Sequence, residues 1–476
     1  MSLARKIVVN NLVVLSQRMG CAVVGLLVSI WLIRYLGAEQ FGIYSLVFAW
    51  FTFLNVITPP MIEQVVAREA VIFPERMRKY IGAGITLKLG LALLGWIMGV
   101  SITYLLGYPR QIIFYLAIVL LGLLGNASYV FQVPHQIELR LFRPVLADGV
   151  SNLLYQLGRA GTILIQLGLS AFFWIYLAYR LVQLGFFSLL SLEKKEYRPD
   201  FHFGYSEVRG IIQSSWILLV NNIFIMLISR IDQLLLYPVW GERAVGLYAS
   251  CANLIDYLVL IPSVWYLTVF PLVVRYLGES QEAYQKANYY SFKYLTLSAV
   301  LFWIPFAGFS ESSIILLFGA EYSNAHSALF WLSSSLIFMF MQVSLLNLAL
   351  AQKKERLWLW VNGAGALLNI LLNLLLIPVY GIVGAGIANF CAYFIQVLLA
   401  GIFQEFRKAF FLMVKTCLLP VIIGGGIILV SNWLKLELKI WLPIMLILFL
   451  ALIFITKVIT WKELEVLAKS LKPKVQ

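Results

Sequence analysis

The chain is dominated by long apolar segments that recur from its beginning to its end. A membrane-spanning helix needs about 20 largely apolar residues, and the sequence contains about fourteen such segments. Hydrophobic residues make up 62% of the chain and charged residues 12%, whereas soluble domains carry about 25% charged residues. These features predict an all-α polytopic membrane protein.

The predicted spans leave little sequence outside the membrane. No connection between them exceeds about 25 residues, so neither side has room for a soluble catalytic domain, and we expect no enzymatic activity and no catalytic residues. The spans lie near residues 10–34, 42–64, 81–106, 110–133, 145–168, 170–192, 213–237, 244–270, 292–318, 328–351, 357–377, 381–404, 411–433 and 439–459.

Lysine and arginine are distributed unevenly over the connections. About 26 of the 36 basic residues lie in connections on the side of the termini, and about five lie on the other side. The positive-inside rule therefore predicts that both termini are cytoplasmic. It also explains the net charge of +14 without a nucleic-acid partner. His135, His202 and His326 lie in separate connections without ligand-like spacing, so we expect no metal site.

An internal repeat indicates how the spans are organised. Residues 37–45 (GAEQFGIYS) and 241–249 (GERAVGLYA) share two glycines and a tyrosine at an offset of 204 residues. Six predicted spans separate the copies, so both halves enter the membrane in the same direction, as in a parallel repeat. We predict two pseudo-symmetric six-helix lobes, at 1–195 and 210–405, and two additional helices at 411–460.

Further motifs point to a known family. RYLGAEQFGIYSL at 34–46, LLFGAEYSNA at 316–325 and PVYGIVGAGIAN at 378–389 resemble bacterial polysaccharide-biosynthesis flippases of the multidrug, oligosaccharidyl-lipid and polysaccharide exporter superfamily. The resemblance implies two lobes around a central cavity and alternating access. It also implies transport of a polyprenyl-diphosphate-linked sugar from the cytoplasmic to the outer leaflet. The expected location is the bacterial inner membrane.

Basic residues inside the predicted spans are the candidate substrate ligands. A cation near the bilayer centre costs roughly 2.5 to 3.5 kcal/mol and usually faces a bundle interior or an aqueous cavity. Such cations can replace the water that hydrates a diphosphate. For Lys88 the alternative is snorkelling to the membrane surface, and for Arg230 it is local pairing with Asp232. The five residues are Arg18, Lys88, Arg159, Arg180 and Arg230.

Polar residues follow one face of the fifth predicted span. They recur at helical spacing, so this face should line either a cavity or a polar seam between helices. The residues are Asp148, Asn152, Tyr155, Arg159, Thr162 and Gln166. Asn222 follows Arg18 by 204 residues, which predicts a cation in one lobe opposite an amide in the other. Asn152, Tyr155 and Asn222 complete the predicted substrate site.

Two intramembrane carboxylates are candidates for ion coupling. Asp148 and Asp256 could bind a proton or a sodium ion, although Asp256 could equally pair with an arginine and Asp148 with Arg180. No other cofactor is expected. The predicted partners are an undecaprenyl-diphosphate-type sugar lipid, membrane lipids and proteins of envelope polysaccharide assembly.

Other functions fit the sequence less well. A multidrug exporter of organic cations would favour buried carboxylates over buried arginines. A membrane glycosyltransferase or polymerase would need a sizeable outer loop with catalytic acids or bases, and a scaffold protein would not need buried charge.

Overall fold

A computed structural model describes residues 3–59, 61–434, 438–459 and 463. The described residues form α-helices and short 3-10 helices, without strands. The α-helices are α1 (Leu3–Leu54), α2 (Met61–Ile72), α3 (Met77–Leu105), α4 (Arg110–Leu121), α5 (Val133–Ile137), α6 (Phe142–Leu164), α7 (Leu169–Leu190), α8 (Tyr205–Glu279), α9 (Gln281–Gly308), α10 (Ser310–Phe318), α11 (His326–Ala351), α12 (Glu355–Ile402), α13 (Gln404–Leu434) and α14 (Leu438–Ile455).

Nine helical stretches in the described part of the chain are long and apolar enough to cross a membrane. Three of them, Val13–Ile72, Leu219–Glu279 and Glu355–Ile402, each cover two predicted spans. The polar helix α6 is not among the nine, and Ile440–Ile455 is shorter than the others. The all-α polytopic membrane fold is therefore confirmed, whereas the count of fourteen spans stays a prediction.

Glycines with positive φ break the three longest helices. Gly37 has φ 69° in α1, Gly241 has φ 72° in α8 and Gly381 has φ 54° in α12. Residues that carry a side chain rarely adopt this left-handed backbone conformation, whereas glycine adopts it without steric cost. Gly37 and Gly241 are equivalent positions of the sequence repeat, so the repeat places the same backbone turn at both sites.

The chain forms two compact units, and the boundary between them does not follow the chain order. The first unit comprises Met1–Tyr257 and Asn362–Ala385, and the second comprises Leu258–Val361 and Gly386–Gln476. In the first unit α6 packs against α1 and α7, and a 3-10 helix at Gly122–Gln132 packs against α3 and α7. In the second unit α9 packs against α11 and α13. The domain boundaries at 1–195, 210–405 and 411–460 stay predictions.

The segment between α7 and α8, which belongs to the first unit, is held by polar contacts against other parts of that unit. The Asp200 amide donates to the Arg78 carbonyl oxygen at 2.9 Å, and the Lys194 ammonium lies 2.6 Å from a Glu138 carboxylate oxygen. Hydrogen bonding from Lys194 lowers the pKa of Glu138. These contacts therefore fix the connection against α3 and against the residue that follows α5.

The two copies of the repeat touch each other inside the first unit. A Cβ atom on Gly42 would overlap the carbonyl oxygen of Glu242, and a Cβ atom on Gly246 would overlap the carbonyl oxygen of Ala38. Ala38 and Gly42 become Glu242 and Gly246 when the repeat offset of 204 residues is added. The two contacts therefore join equivalent positions of the repeat. This reciprocity is the geometry of a pseudo-twofold contact, and it depends on glycine at both positions.

Candidate functional site: two polar cavities in the first unit

The first cavity, called the Arg159 cavity, lies among α1, α6 and α8 and has a volume of about 240 Å³. Two charged residues line it, and both are arginines. Its other polar groups are hydroxyls and amides. Such a wall can donate many hydrogen bonds and carries positive charge. The lining residues are Ser29, Phe41, Tyr44, Ser45, Phe48, Ala49, Thr52, Tyr155, Arg159, Arg230, Gln233, Asn253 and Tyr257.

Arg159 is buried on α6 without an ion-pair partner in the described part of the chain. Its Nη1 donates to Gln156 Oε1 at 2.9 Å and its Nη2 donates to Ser29 Oγ at 3.2 Å. Its guanidinium carbon lies 5.5 Å from the centroid of the Tyr155 ring. The Nε atom is buried without a hydrogen-bond partner. Neutral groups alone therefore hold this cation, and one donor is left unused.

Contacts from two other helices fix the position of Arg159. The Ser29 hydroxyl on α1 lies 3.1 Å from the Tyr257 hydroxyl on α8, so Ser29 links the arginine to α8. Gly25, one turn before Ser29, leaves space for the Tyr257 hydroxyl, which would lie 3.1 Å from a Cβ atom there. The three helices thus meet around the guanidinium.

Arg230, the second arginine of this cavity, is paired. Its Nη2 donates to Asp256 Oδ2 at 2.7 Å, and both residues belong to α8. Asp232, the local partner considered from the sequence, instead accepts hydrogen bonds from the Tyr248 hydroxyl and the Gln233 amide. Asp256 thus pairs with an arginine, which is one of the two roles considered for it from the sequence. Because the pair is neutral, it adds no net charge to the cavity.

The second cavity, called the Lys88 cavity, is lined from α1, the break before α2, α2, α3, α7 and the Gly122–Gln132 segment. Its volume is about 210 Å³. Two basic residues and one acidic residue line it, so its charged groups carry a net positive charge. The lining residues are Phe51, Asn55, Thr58, Glu63, Lys88, Asn126, Tyr129, Tyr176 and Arg180.

Lys88 does not snorkel to the membrane surface. Its side chain is 1% exposed, and its ammonium group forms an ion pair with Glu63, whose side chain is 5% exposed. The ammonium also donates to the Asn126 carbonyl oxygen at 3.2 Å. The other carboxylate oxygen of Glu63, Oε2, is buried without a hydrogen-bond partner. A carboxylate therefore already neutralises Lys88.

Arg180 has only neutral partners among the described residues. Its Nε donates to the Gly122 carbonyl oxygen at 3.0 Å, its Nη1 donates to Gln183 Oε1 at 2.6 Å, and its Nη2 donates to Asn126 Oδ1. A Cβ atom on Gly125 would lie 2.8 Å from the arginine Nε, so glycine makes room for the guanidinium. No carboxylate among the described residues forms an ion pair with Arg180.

Asp148 is linked to Arg180 through the side chain of Gln183. Its two carboxylate oxygens accept from Gln17 Nε2 on α1 and from Gln183 Nε2 on α7, each at 2.9 Å. The pairing of Arg180 with Asp148, one alternative considered from the sequence, is therefore indirect and passes through Gln183. The polar stripe of α6 serves both purposes considered from the sequence, because Tyr155 and Arg159 line a cavity whereas Asp148 lies in a seam between helices.

Three other predicted site residues line neither cavity. Arg18 is exposed, but it precedes Ser29 by eleven residues and so shares its helix face, about 16 Å along α1. Asn152 is half-buried, and its Oδ1 atom has no hydrogen-bond partner. Asn222 is half-buried on α8. The predicted opposition of Arg18 and Asn222 stays a prediction.

Sequence reasoning missed most of the residues that surround these cations. Glu63 is the acidic residue that pairs with Lys88, and its only signal was its position at the end of a predicted span. Gln156 and Ser29 are ordinary polar residues, and no pattern in a single sequence marks them as hydrogen-bond partners of Arg159. Tyr44 stood out only as the tyrosine shared by the two copies of the repeat, and nothing distinguished Tyr257 among the 24 tyrosines of the chain.

The fold and the cavities define an all-α polytopic membrane protein with cationic polar cavities inside one of its units. Residues 7–277 match the family described as polysaccharide biosynthesis protein. Because this match covers more than half of the 476 residues, the chain belongs to that family, as the sequence motifs predicted. No curated protein matches the chain.

Solved structures share the fold at low sequence identity. A lipid II flippase MurJ in an inward closed conformation has a TM-score of 0.69 at 16% identity, covering 94% of this chain and 98% of that chain. A multidrug resistance MATE family transporter of the MOP superfamily in an inward-facing conformation has a TM-score of 0.64 at 17% identity, covering 85% and 99%. This chain therefore has the fold of MOP superfamily transporters and flippases.

Proposed function

We propose that this protein is a flippase for a polyprenyl-diphosphate-linked oligosaccharide. It moves the lipid from the cytoplasmic to the outer leaflet of a bacterial inner membrane by alternating access, for the synthesis of a cell-surface polysaccharide. It acts as a transporter and not as an enzyme. Family membership and fold support this class of function, and the charge of the cavities supports the anionic substrate.

The observation that carries the proposal is the unpaired guanidinium of Arg159. Burial of a charge is costly unless the charge is paired and hydrogen-bonded. Here the described structure supplies Gln156 and Ser29 but no carboxylate, and Nε stays without a partner. A phosphate oxygen would satisfy both the charge and the free donor, and arginine suits phosphate geometry. Arg159 is thus the proposed primary ligand of the diphosphate.

The remaining predicted residues have supporting roles in this proposal. Arg180 and Lys88 attract the headgroup, Tyr155 positions Arg159, and Arg18, Asn152 and Asn222 contact the substrate along its path. Arg230 can turn from Asp256 to the anion. That exchange would free the Asp256 carboxylate to take a proton or a sodium ion, while Asp148 is the other candidate coupling residue.

A multidrug exporter is the competing function within the same fold. Transport of organic cations favours an unpaired carboxylate in the cavity. The acidic residue nearest to this role, Asp256, is paired with Arg230 at 2.7 Å. Binding of a polyprenyl diphosphate and of a cationic dye to the purified protein separates the two functions, and we expect binding of the diphosphate only.

The direct test is reconstitution of the protein in liposomes with fluorescent polyprenyl-diphosphate sugars, followed by measurement of leaflet exchange with and without an ion gradient. Arg159→Met should lower exchange by about 10- to 100-fold, because hydrogen bonds to charged groups contribute about 1.5 to 3 kcal/mol. Its thermal stability should not fall, because the substitution also removes an unpaired buried charge.

The matched control is Arg110→Ala, which removes an exposed arginine at the start of α4. This variant should exchange lipid at the native rate. Native-level exchange by Arg159→Met would contradict the role of Arg159. Failure of the native protein to move any polyprenyl-diphosphate sugar would refute the proposed function.

A further inference from the structure

The first unit also contains an apolar groove in addition to the two polar cavities. Its volume is about 350 Å³, which exceeds that of either polar cavity. Each of the described residues that line it is apolar, so these side chains offer neither a hydrogen bond nor a charge to a ligand. The lining residues are Val56, Ile57, Pro59, Ile62, Leu87, Leu91, Ile211, Ile212, Leu219 and Ile223.

The break between α1 and α2 forms one wall of this groove and also one wall of the Lys88 cavity. After Leu54 the chain makes a short 3-10 helix at Asn55–Ile57, and Pro59 has no amide hydrogen with which to continue a helix. Within this break Asn55 and Thr58 line the Lys88 cavity, whereas Val56, Ile57 and Pro59 line the groove. The break therefore separates a polar space from an apolar one.

Helix α3 likewise has one side that lines the apolar groove and another that lines the polar cavity. Leu87 and Leu91 lie one turn apart and line the groove, whereas Lys88 lines the polar cavity. On α2, Ile62 lines the groove and the next residue, Glu63, lines the cavity. The groove and the Lys88 cavity thus adjoin each other along two helices and the break. An amphiphile with an anionic head and an apolar chain matches this pair of spaces.

The groove has a buried floor and an exposed rim. Ile62 and Ile211 are 2% and 0% exposed and belong to a core cluster with Val65, Val66 and Ile81. Ile212, which follows Ile211, is 53% exposed. A chain can therefore enter past Ile212 and rest against a packed floor. The groove also lies near the ends of α3 and α8 that the sequence predicts to be cytoplasmic, where the lipid would load.

We propose that this groove holds the isoprenoid chain of the lipid-linked substrate during loading, while its diphosphate lies beside Lys88 and Arg180 before it reaches Arg159. The inference rests on the proposed function and adds a binding site for the lipid tail. The chain gains little transfer energy by leaving the bilayer, because lipid tails are as apolar as leucine. The groove therefore acts by restraining the chain, which raises the effective concentration of the headgroup at the cavity.

A substitution that narrows the groove tests the proposal. Leu91→Trp places a large ring in the groove, and Leu93→Trp, at a position that is 55% exposed on the same helix, is the matched control. Exchange is measured with a long-chain substrate and with a two-isoprene analogue that carries the same head. We expect Leu91→Trp to raise KM for the long chain by about fivefold or more with little change in kcat, as loss of uniform binding does.

The short analogue and the Leu93→Trp control should behave as in the native protein. An equal loss of exchange for long and short chains in Leu91→Trp would overturn the proposal, because it would indicate a general packing defect. An unchanged KM for both chains would overturn it as well, provided that the variant is folded.

Photolabelling separates this proposal from the proposed function. A diazirine on the isoprenoid chain should label α3 and the start of α8, and excess unlabelled polyprenyl diphosphate should compete whereas phospholipid should not. Competed labelling without any leaflet exchange would support the tail site and refute the flippase function. Labelling that phospholipid competes equally well would overturn the tail site, because the groove would then hold bulk lipid.

Discussion

At the scale of single residues, the buried cations fall into two groups. Lys88 pairs with Glu63 and Arg230 pairs with Asp256, so both are neutralised within the protein. Among the residues that the structure describes, Arg159 has neutral partners only. This difference matters because removing one member of a buried ion pair leaves an uncompensated charge, whereas removing an unpaired charge does not. Removing one member of an ion pair should therefore lower stability, whereas removing the unpaired charge of Arg159 should lower transport without lowering stability.

The Lys88 pair allows a double-mutant test of this distinction. Glu63→Gln should lower the free energy of unfolding by about 3 to 5 kcal/mol, because it leaves Lys88 buried and unpaired. Adding Lys88→Met should restore most of the loss, since a neutral pair of similar volume carries no desolvation cost. Thermal unfolding in detergent measures both effects. A double variant that is no more stable than Glu63→Gln would contradict the ion-pair account.

How far the sequence predicts the candidate site depends on the residue. Helical spacing alone was enough to place Tyr155 and Arg159 on one face of α6, and both line a cavity. The same reasoning could not find Glu63, because it lies 25 residues from Lys88 along the chain and beyond a break in the helix. Periodicity describes one helix at a time, whereas charge compensation depends on the packing of neighbouring helices.

At the scale of the helices, glycine turns determine where the long helices bend and where they meet. The sequence repeat predicted that Gly37 and Gly241 occupy equivalent positions, and both have positive φ. It could not predict that Gly42 contacts the Glu242 carbonyl or that Gly246 contacts the Ala38 carbonyl. Equivalent positions need not touch, and only the packing of α1 against α8 brings them together.

This reciprocal contact should act as a closed gate beside the Arg159 cavity, since Phe41 and Ser45 on either side of Gly42 line that cavity. Gly42→Ala places a methyl group against backbone atoms, and such overpacking costs about 1 to 3 kcal/mol. We expect a cysteine at Ser45, which is 5% exposed, to react about fivefold or more faster with an aqueous maleimide in this variant.

Gly90→Ala is the control for the gate, because a Cβ atom there would have no neighbour within 4 Å. It should leave the labelling rate at Ser45→Cys unchanged. Both backgrounds need the native cysteines replaced, namely Cys21, Cys251, Cys391 and Cys417. Equal labelling rates in Gly42→Ala and Gly90→Ala would show that the contact does not restrict access to the cavity.

At the scale of the whole molecule, the fold by itself does not select the substrate. The same architecture occurs in a lipid II flippase and in multidrug transporters, so the substrate class must be inferred from the charge of the cavities. Hydropathy and the repeat were sufficient to predict the helical membrane fold. They were not sufficient to predict the two compact units, whose boundary falls inside α8 and α12, because contact between distant helices decides which segments pack together.

The direction of transport depends on the orientation of the chain in the membrane, which the distribution of lysine and arginine predicts. Glu39, two residues after the Gly37 turn, should face outward, and Lys353, two residues after the end of α11, should face the cytoplasm; both side chains are exposed. In a cysteine-free background, a membrane-impermeant maleimide added to intact cells should label Glu39→Cys and should label Lys353→Cys only after the membrane is permeabilised. The reverse pattern would invert the orientation, and the headgroup would then load from the opposite leaflet.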